Sequence, residues 1–154
     1  LQLLTGWGIA CLILTVWGCV TPLTLAIPAT GLAIAGLVGV LAAPRRPNDG
    51  LWRVGVLSLP IWLVLASATP SQVDTWLNRL PNAAYLVDHG VFPRADRPES
   101  YSFIPVAPYN TQFVTYAASL LRGELVGNSM GSFNILLQCA AAGLFARKLA
   151  GDTA

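Results

Sequence analysis

LWRVGVLSLPIWLVLASATPSQVDTWLNRLPNAAYLVDHGVFP, residues 51–93, is the stretch on which the rest of the chain turns. It opens with an apolar run, residues 51–69, that carries one charge near its start, Arg53. As a helix this run is ~28 Å long, close to the hydrocarbon thickness of a bilayer. Pro70-Ser71-Gln72-Val73-Asp74-Thr75-Trp76 follows, so an acid stands about one helical turn beyond the lipid-compatible segment. Residues 81–89 then read as a short helix, with proline at the first position and Gly90 past the end. A carboxylate held just outside a membrane, between a span and a short helix, suggests a reaction site at the lipid surface.

The composition agrees with a membrane setting. Of 154 residues, 55% are hydrophobic and 10% are charged, against roughly 25% charged in a soluble domain. Mean hydropathy is +0.61. A soluble helical protein of this size has too much surface to hide so much apolar mass. The formal charge of +2 comes without a basic stripe, so nucleic acid is not expected as a partner. Cys11, Cys19 and Cys139 all lie in apolar runs with no CxxC or Cys/His spacing, which suits buried thiols rather than metal ligands or disulfides.

Towards the N-terminus lie two more apolar runs. Residues 3–20 hold no charge and are about the minimum length for a span, with Trp7 and Trp17 placed for the two interfaces. A cleaved signal peptide competes for this run, but no basic segment precedes it and no small-x-small site follows. Thr21-Pro22 marks a turn, because proline lacks the backbone donor and disfavours helix in the residue before it. Residues 23–43 are also uncharged; Gly31, Ala35 and Gly39 recur every four residues and would share one helix face. Such a face either admits a close helix neighbour or merely reflects the frequency of small residues in spans. Pro44-Arg45-Arg46-Pro47-Asn48-Asp49-Gly50 closes the hairpin, and with Arg53 it marks the cytoplasmic side.

Residues 70–128 hold five of the seven acids and four arginines, together with His89, the one histidine. That is too long for a plain connector. Ala83, Ala84 and Val87 share one face of the first short helix, as in an interfacial amphipathic helix, and residues 112–121 form a second, too short to span. Residues 130–146 are the fourth apolar run, closed by Arg147-Lys148. The expected architecture is therefore an all-α integral membrane protein with about four transmembrane helices. It has a large extracytoplasmic loop, residues 70–128, containing short interfacial helices, and both termini lie inside. Residues 1–50 form a transmembrane hairpin with its Arg-rich cytoplasmic loop; residues 51–149 form the span, outer loop and next span. The chain begins with leucine and its one methionine is Met130, so a longer protein is expected.

The loop has no GxSxG, HExxH, phosphate-binding glycine loop or Cys/His cluster. What remains is carboxylates and arginines outside a membrane. Asp74 is the most suggestive: beside low-dielectric lipid its proton affinity should rise, which suits a general base. Its plainer role is to cap the helix beginning at Thr75-Trp76. Arg94 and Arg97 read as surface charges, Asp88 and His89 stand at a helix end, and Tyr101, Phe103 and Tyr109 could pack the loop down.

The order of these features resembles the first extracytoplasmic loop of the GT-C membrane glycosyltransferases, which use sugars carried on polyprenyl phosphate. The likeness rests on Asp74 just after a span and on Ala83-x-x-Leu86-x-x-x-Gly90-x-x-Pro93. Tyr109-Asn110-Thr111-Gln112 stands where many members have Tyr-Pro-Pro, and departs from it. The likeness covers roughly residues 51–149. Members usually have many more spans than four, and their aspartate follows the first span rather than the third. The resemblance implies transfer of a sugar from a polyprenyl-phosphate carrier to an acceptor hydroxyl at the outer membrane face, with Asp74 as general base. Arg94 and Arg97, which could stabilise the leaving phosphate, Tyr109, which with Tyr101 and Phe103 could stack on the sugar, and His89 and Asp88 are then the weaker substrate-binding candidates. It implies the bacterial cytoplasmic (inner) membrane as the location, with membrane lipid and the lipid-linked sugar as partners. No protein-bound metal site is expected, and a divalent cation as cofactor is left open. The competing class is a non-catalytic membrane scaffold or assembly subunit whose outer loop binds a partner.

Overall fold

The computed structural model describes residues 2–42, 49–68, 72–106 and 109–151. Its elements are α1 (Gln2–Val20), α2 (Ala26–Ala42), α3 (Asp49–Ser67), a π turn (Thr75–Arg79), α4 (Leu80–His89), α5 (Thr111–Arg122) and α6 (Ser129–Gly151). No strand occurs among the described residues. Two segments, Leu3–Val20 of α1 and Ser129–Ala146 of α6, are long and apolar enough to cross a membrane. Ala26–Ala42 is apolar but only 17 residues long. The expectation of four spans is thus met for two among the described residues, and Arg45 and Arg46 of the basic loop lie outside them.

α3 and α6 pack against each other. The end of α3, at Leu65 and Ala68, meets the start of α6, at Met130 and Gly131, so the two run antiparallel. α6 has 23 residues, a length of ~34 Å. Large apolar side chains stand exposed along α1 (Ile9, Leu12, Ile13, Val16), α2 (Ile34, Leu37, Val38, Leu41) and α3 (Leu59, Leu63, Val64). Monomers that live in water rarely expose contiguous apolar surface of this kind.

The core lies elsewhere than a four-span bundle would place it. Leu14, Leu25, Leu86, Phe92, Tyr109, Phe113 and Tyr116 form one buried cluster, with Trp7, Cys11, Trp17, Ala29 and Leu32 packed around it. The α1 members recur at helical spacing, so one whole face of α1 lies against the 70–128 region. Loop and N-terminal hairpin therefore share a core instead of forming separate layers. Trp7 donates its indole N–H to Asn110 Oδ1 at 3.0 Å, and its ring lies 4.5 Å from that of Phe133. Trp17 belongs to the core shell. On α4, Asn82, Ala83, Tyr85 and Leu86 are buried and Val87 packs against the core, whereas Ala84 is half-buried; α5 packs on this helix. Gly31 and Gly39 have open space where a Cβ would go, so the small-residue face meets no helix among the described residues. Cys19 is exposed, unlike the buried thiol expected.

Residues 90–94 fasten the loop to the hairpin. Gly90 caps α4 at φ 67°, the left-handed conformation that glycine adopts without strain. Its carbonyl accepts the Leu25 N–H at 2.7 Å, and a Cβ here would stand 2.5 Å from Thr24 Oγ1. A Cβ on Gly18 would overlap the Phe92 ring, which stacks on Tyr109 at 4.6 Å. Arg94 donates to the carbonyls of Gly18 (2.8 Å) and Cys19 (2.5 Å), placing a cation at the negative end of α1.

Candidate functional site

Residues 73–89 form one unbroken helical stretch, and its irregularity makes the site. Within the π turn Thr75–Arg79, the Leu80 N–H bonds to the Thr75 carbonyl, an i→i+5 pattern. In an α-helix, positions five apart point ~140° from each other. The wider π winding brings the fifth residue back above the first, and π turns of this kind are frequent at functional sites. Asp74 and Arg79 are five apart. The Arg79 Nε–H donates to Asp74 Oδ2 at 2.7 Å, and the Asn78 amide donates to Asp74 Oδ1 at 2.8 Å. Asn78 Oδ1 is buried without a partner.

Asp74 precedes the π turn but makes no capping hydrogen bond, and its backbone is already helical. Its carboxylate is therefore committed to side chains, not to helix termination. The hydrogen bond from Asn78, then that from Arg79, hold its carboxyl below the usual carboxylate range. Asp74 is half exposed, and the two donors stabilise its charged form, opposing the rise in proton affinity expected beside lipid.

Two neighbouring cavities meet at this pair. One, of about 320 Å³, lies between the end of α3, the π turn and the start of α6, with Leu65, Ala68, Thr75, Arg79, Met130 and Asn134 among its walls. The other, of about 350 Å³, is bounded by Asp74, Asn78, Arg79, Ile104, Asn110, Thr111, Gln112 and Asn134. Arg79 and Asn134 line both. Gln112 Oε1 accepts the Asn110 N–H at 3.2 Å, and Asn110 Oδ1 also accepts the Cys11 thiol proton at 3.3 Å, so the start of α5 is tied to α1. The arrangement offers one ionised carboxylate, one guanidinium and six carboxamides around open space, a set suited to binding hydroxyl-rich or anionic groups.

The weaker candidates lie away from it. Arg94 is committed to α1 carbonyls, and Arg97 donates to the Phe92 carbonyl at 2.8 Å. Tyr109 is a core residue whose hydroxyl donates to the Pro105 carbonyl at 2.7 Å; burial pushes that hydroxyl well above its ordinary pKa. Asp88 and His89 are exposed at the end of α4, with the His89 ring 4.4 Å from Tyr85. Of the Tyr109-Asn110-Thr111-Gln112 stretch, the last three residues line the Asp74 cavity. Asn78, Arg79 and Asn134 are absent from the expected set. Asn134 carried a signal, a carboxamide inside an otherwise apolar run.

A divalent cation does not fit this arrangement. Both Asp74 oxygens accept hydrogen bonds, one faces a guanidinium, and no group of three metal-ligating side chains converges among the described residues. Comparison with known proteins finds no matching family model, no similar characterised protein and no similar solved structure.

Proposed function

We propose that this chain belongs to a GT-C-like membrane glycosyltransferase, moving a sugar from a polyprenyl-phosphate carrier to an acceptor hydroxyl at the outer face of a bacterial inner membrane. In this reading α3 and α6 are two of four spans, residues 70–128 lie outside, and further spans of the same protein complete the donor pocket. The observation that carries it is the Asp74–Arg79 pair, set in open cavities where the end of α3 meets the start of α6, a helix long and apolar enough to cross a membrane.

Asp74 is ionised throughout the working pH range and accepts a hydrogen bond from the acceptor hydroxyl. The acceptor oxygen then attacks the anomeric carbon, and the bond from that carbon to the phosphate oxygen breaks. The electron pair leaves with the phosphate, and the acceptor proton passes to Asp74. Direct displacement inverts the anomeric configuration. A carboxylate of low proton affinity is a weak base before the reaction. It therefore orients the hydroxyl first and takes the proton late, as the acceptor oxygen becomes acidic.

The test is transfer in proteoliposomes holding the full-length protein and a panel of polyprenyl-phosphate sugars, read as free polyprenyl phosphate released. Asp74→Asn should lower the rate about 100- to 10,000-fold at equal protein level. Near-normal transfer by the Asn variant would remove Asp74 from the chemistry.

A further inference from the structure

We infer that Arg79 is the phosphate ligand of the site, and that it exchanges Asp74 for the phosphate of a lipid-linked substrate seated between the ends of α3 and α6. This rests on the sugar-transfer reading and assigns its leaving-group contact to a residue not expected from sequence.

Three observations converge. Arg79 is the one cation lining either cavity among the described residues. The cavity it shares with α3 and α6 has mixed walls: Leu65, Ala68 and Met130 are apolar, and Gln72, Thr75, Arg79, Asn128 and Asn134 are polar or charged. A phosphate carrying an apolar chain matches that mixture, with the phosphate at the guanidinium. Finally, Arg94 and Arg97, the other cations considered for this task, hold backbone carbonyls instead.

Arg79 contacts Asp74 through Nε, which leaves the outer edge of its fork for a second anion. Asp74 and the phosphate compete for one guanidinium. Phosphate binding draws Arg79 away from Asp74, which frees the carboxylate to accept the acceptor hydroxyl. Empty, the site holds its acid in an ion pair; loaded, it releases it. Asn134, on both walls, lies where the two occupants meet.

The test measures binding of farnesyl phosphate, farnesol and inorganic phosphate to the detergent-solubilised full-length protein by calorimetry. Wild type should bind farnesyl phosphate in preference to farnesol, and inorganic phosphate should displace it only weakly. Arg79→Gln should weaken farnesyl phosphate binding about tenfold to a hundredfold and leave farnesol unchanged. Arg79→Lys, which keeps charge but loses the fork, should fall between. Asp74→Asn should tighten farnesyl phosphate binding about threefold to tenfold, because a neighbouring negative charge is gone. The Lys and Asn variants read the proposal even if the Gln variant does not fold. Farnesyl phosphate affinity unchanged in Arg79→Gln, or weakened in Asp74→Asn, overturns it. So does equal displacement by inorganic phosphate, which would mark a site for free phosphate. Arg79-dependent binding without sugar transfer would sink the transferase reading alone; transfer with Arg79-independent binding would sink this inference alone.

Discussion

Gly90 and Gly123 make a matched pair on which the docking of the loop can be measured. Both cap a helix in the left-handed conformation, at φ 67° and φ 80°. An alanine at either position pays for that conformation, about 1–2 kcal/mol. The surroundings differ. A Cβ at Gly123 meets open space, whereas one at Gly90 stands 2.5 Å from Thr24 Oγ1 in the α1–α2 turn. Relieving that overlap means shifting Thr24, whose Oγ1 accepts the Ala26 N–H at 3.2 Å, or lifting residues 90–94 off the hairpin. Overpacking of this kind adds about 1–3 kcal/mol. Gly123→Ala should thus cost about 1–2 kcal/mol and Gly90→Ala about 2–5 kcal/mol. At about 2–4 °C per kcal/mol for a chain of this size, the midpoints should fall by roughly 2–8 °C and 4–20 °C. Thermal unfolding followed by circular dichroism in detergent micelles reads both. Thr24→Ala added to Gly90→Ala should recover part of the loss, although it also removes the turn's hydrogen bond. Equal destabilisation by the two glycine variants, with no recovery from Thr24→Ala, would refute the close approach of α4 to the hairpin and the shared core with it.

Other expectations follow from the same contacts. Arg94→Ala should lower stability by about 1–2 kcal/mol through loss of the charge at the end of α1. In proteoliposomes at low temperature its transfer per folded molecule should match wild type; a specific loss of transfer would return Arg94 to the site. Asp74 has a folded-state pKa below that of the unfolded chain. Its contribution to stability is therefore fully present above about pH 4 and is lost as the pH falls through the lower folded value. Transfer should correspondingly show no limb from Asp74 between about pH 5 and pH 8, and a limb there whose midpoint shifts in Asp74→Glu would contradict the depressed carboxyl. Phe113→Ala, at a position 1% exposed, should cost about 3–5 kcal/mol by the same unfolding measurement; a negligible shift would contradict the α1–α5 core.

Much of this was legible from residue order, for identifiable reasons. The runs that became α1 and α6 contain no charge until Arg147, and hydropathy reads length directly. Glycine and proline punctuation placed α4 within a residue of its observed bounds, because Pro81 and Gly90 act through local backbone geometry. The packing was not legible. α1 is apolar on every face, so nothing in its sequence separates the Trp7, Cys11, Leu14 stripe that meets protein from the Ile9, Leu12, Val16 side that does not. Asp74 stood out by position alone. Its partner Arg79 did not, because an α-helical projection puts positions five apart on different faces. The π turn that unites them leaves no periodicity of its own in five residues.

Placement of the site can be tested directly by cysteine labelling. With Cys11, Cys19 and Cys139 replaced, Asp74→Cys and Lys148→Cys variants are exposed in intact cells to a membrane-impermeant maleimide. α6 begins beside the Asp74–Arg79 cavities and carries Lys148 in its last turn, ~30 Å away along a span-length helix. Position 74 should label from outside and position 148 only after permeabilisation. Labelling of both from one side, or of position 74 only after permeabilisation, would contradict a carboxylate stationed at the outer end of the α3–α6 pair.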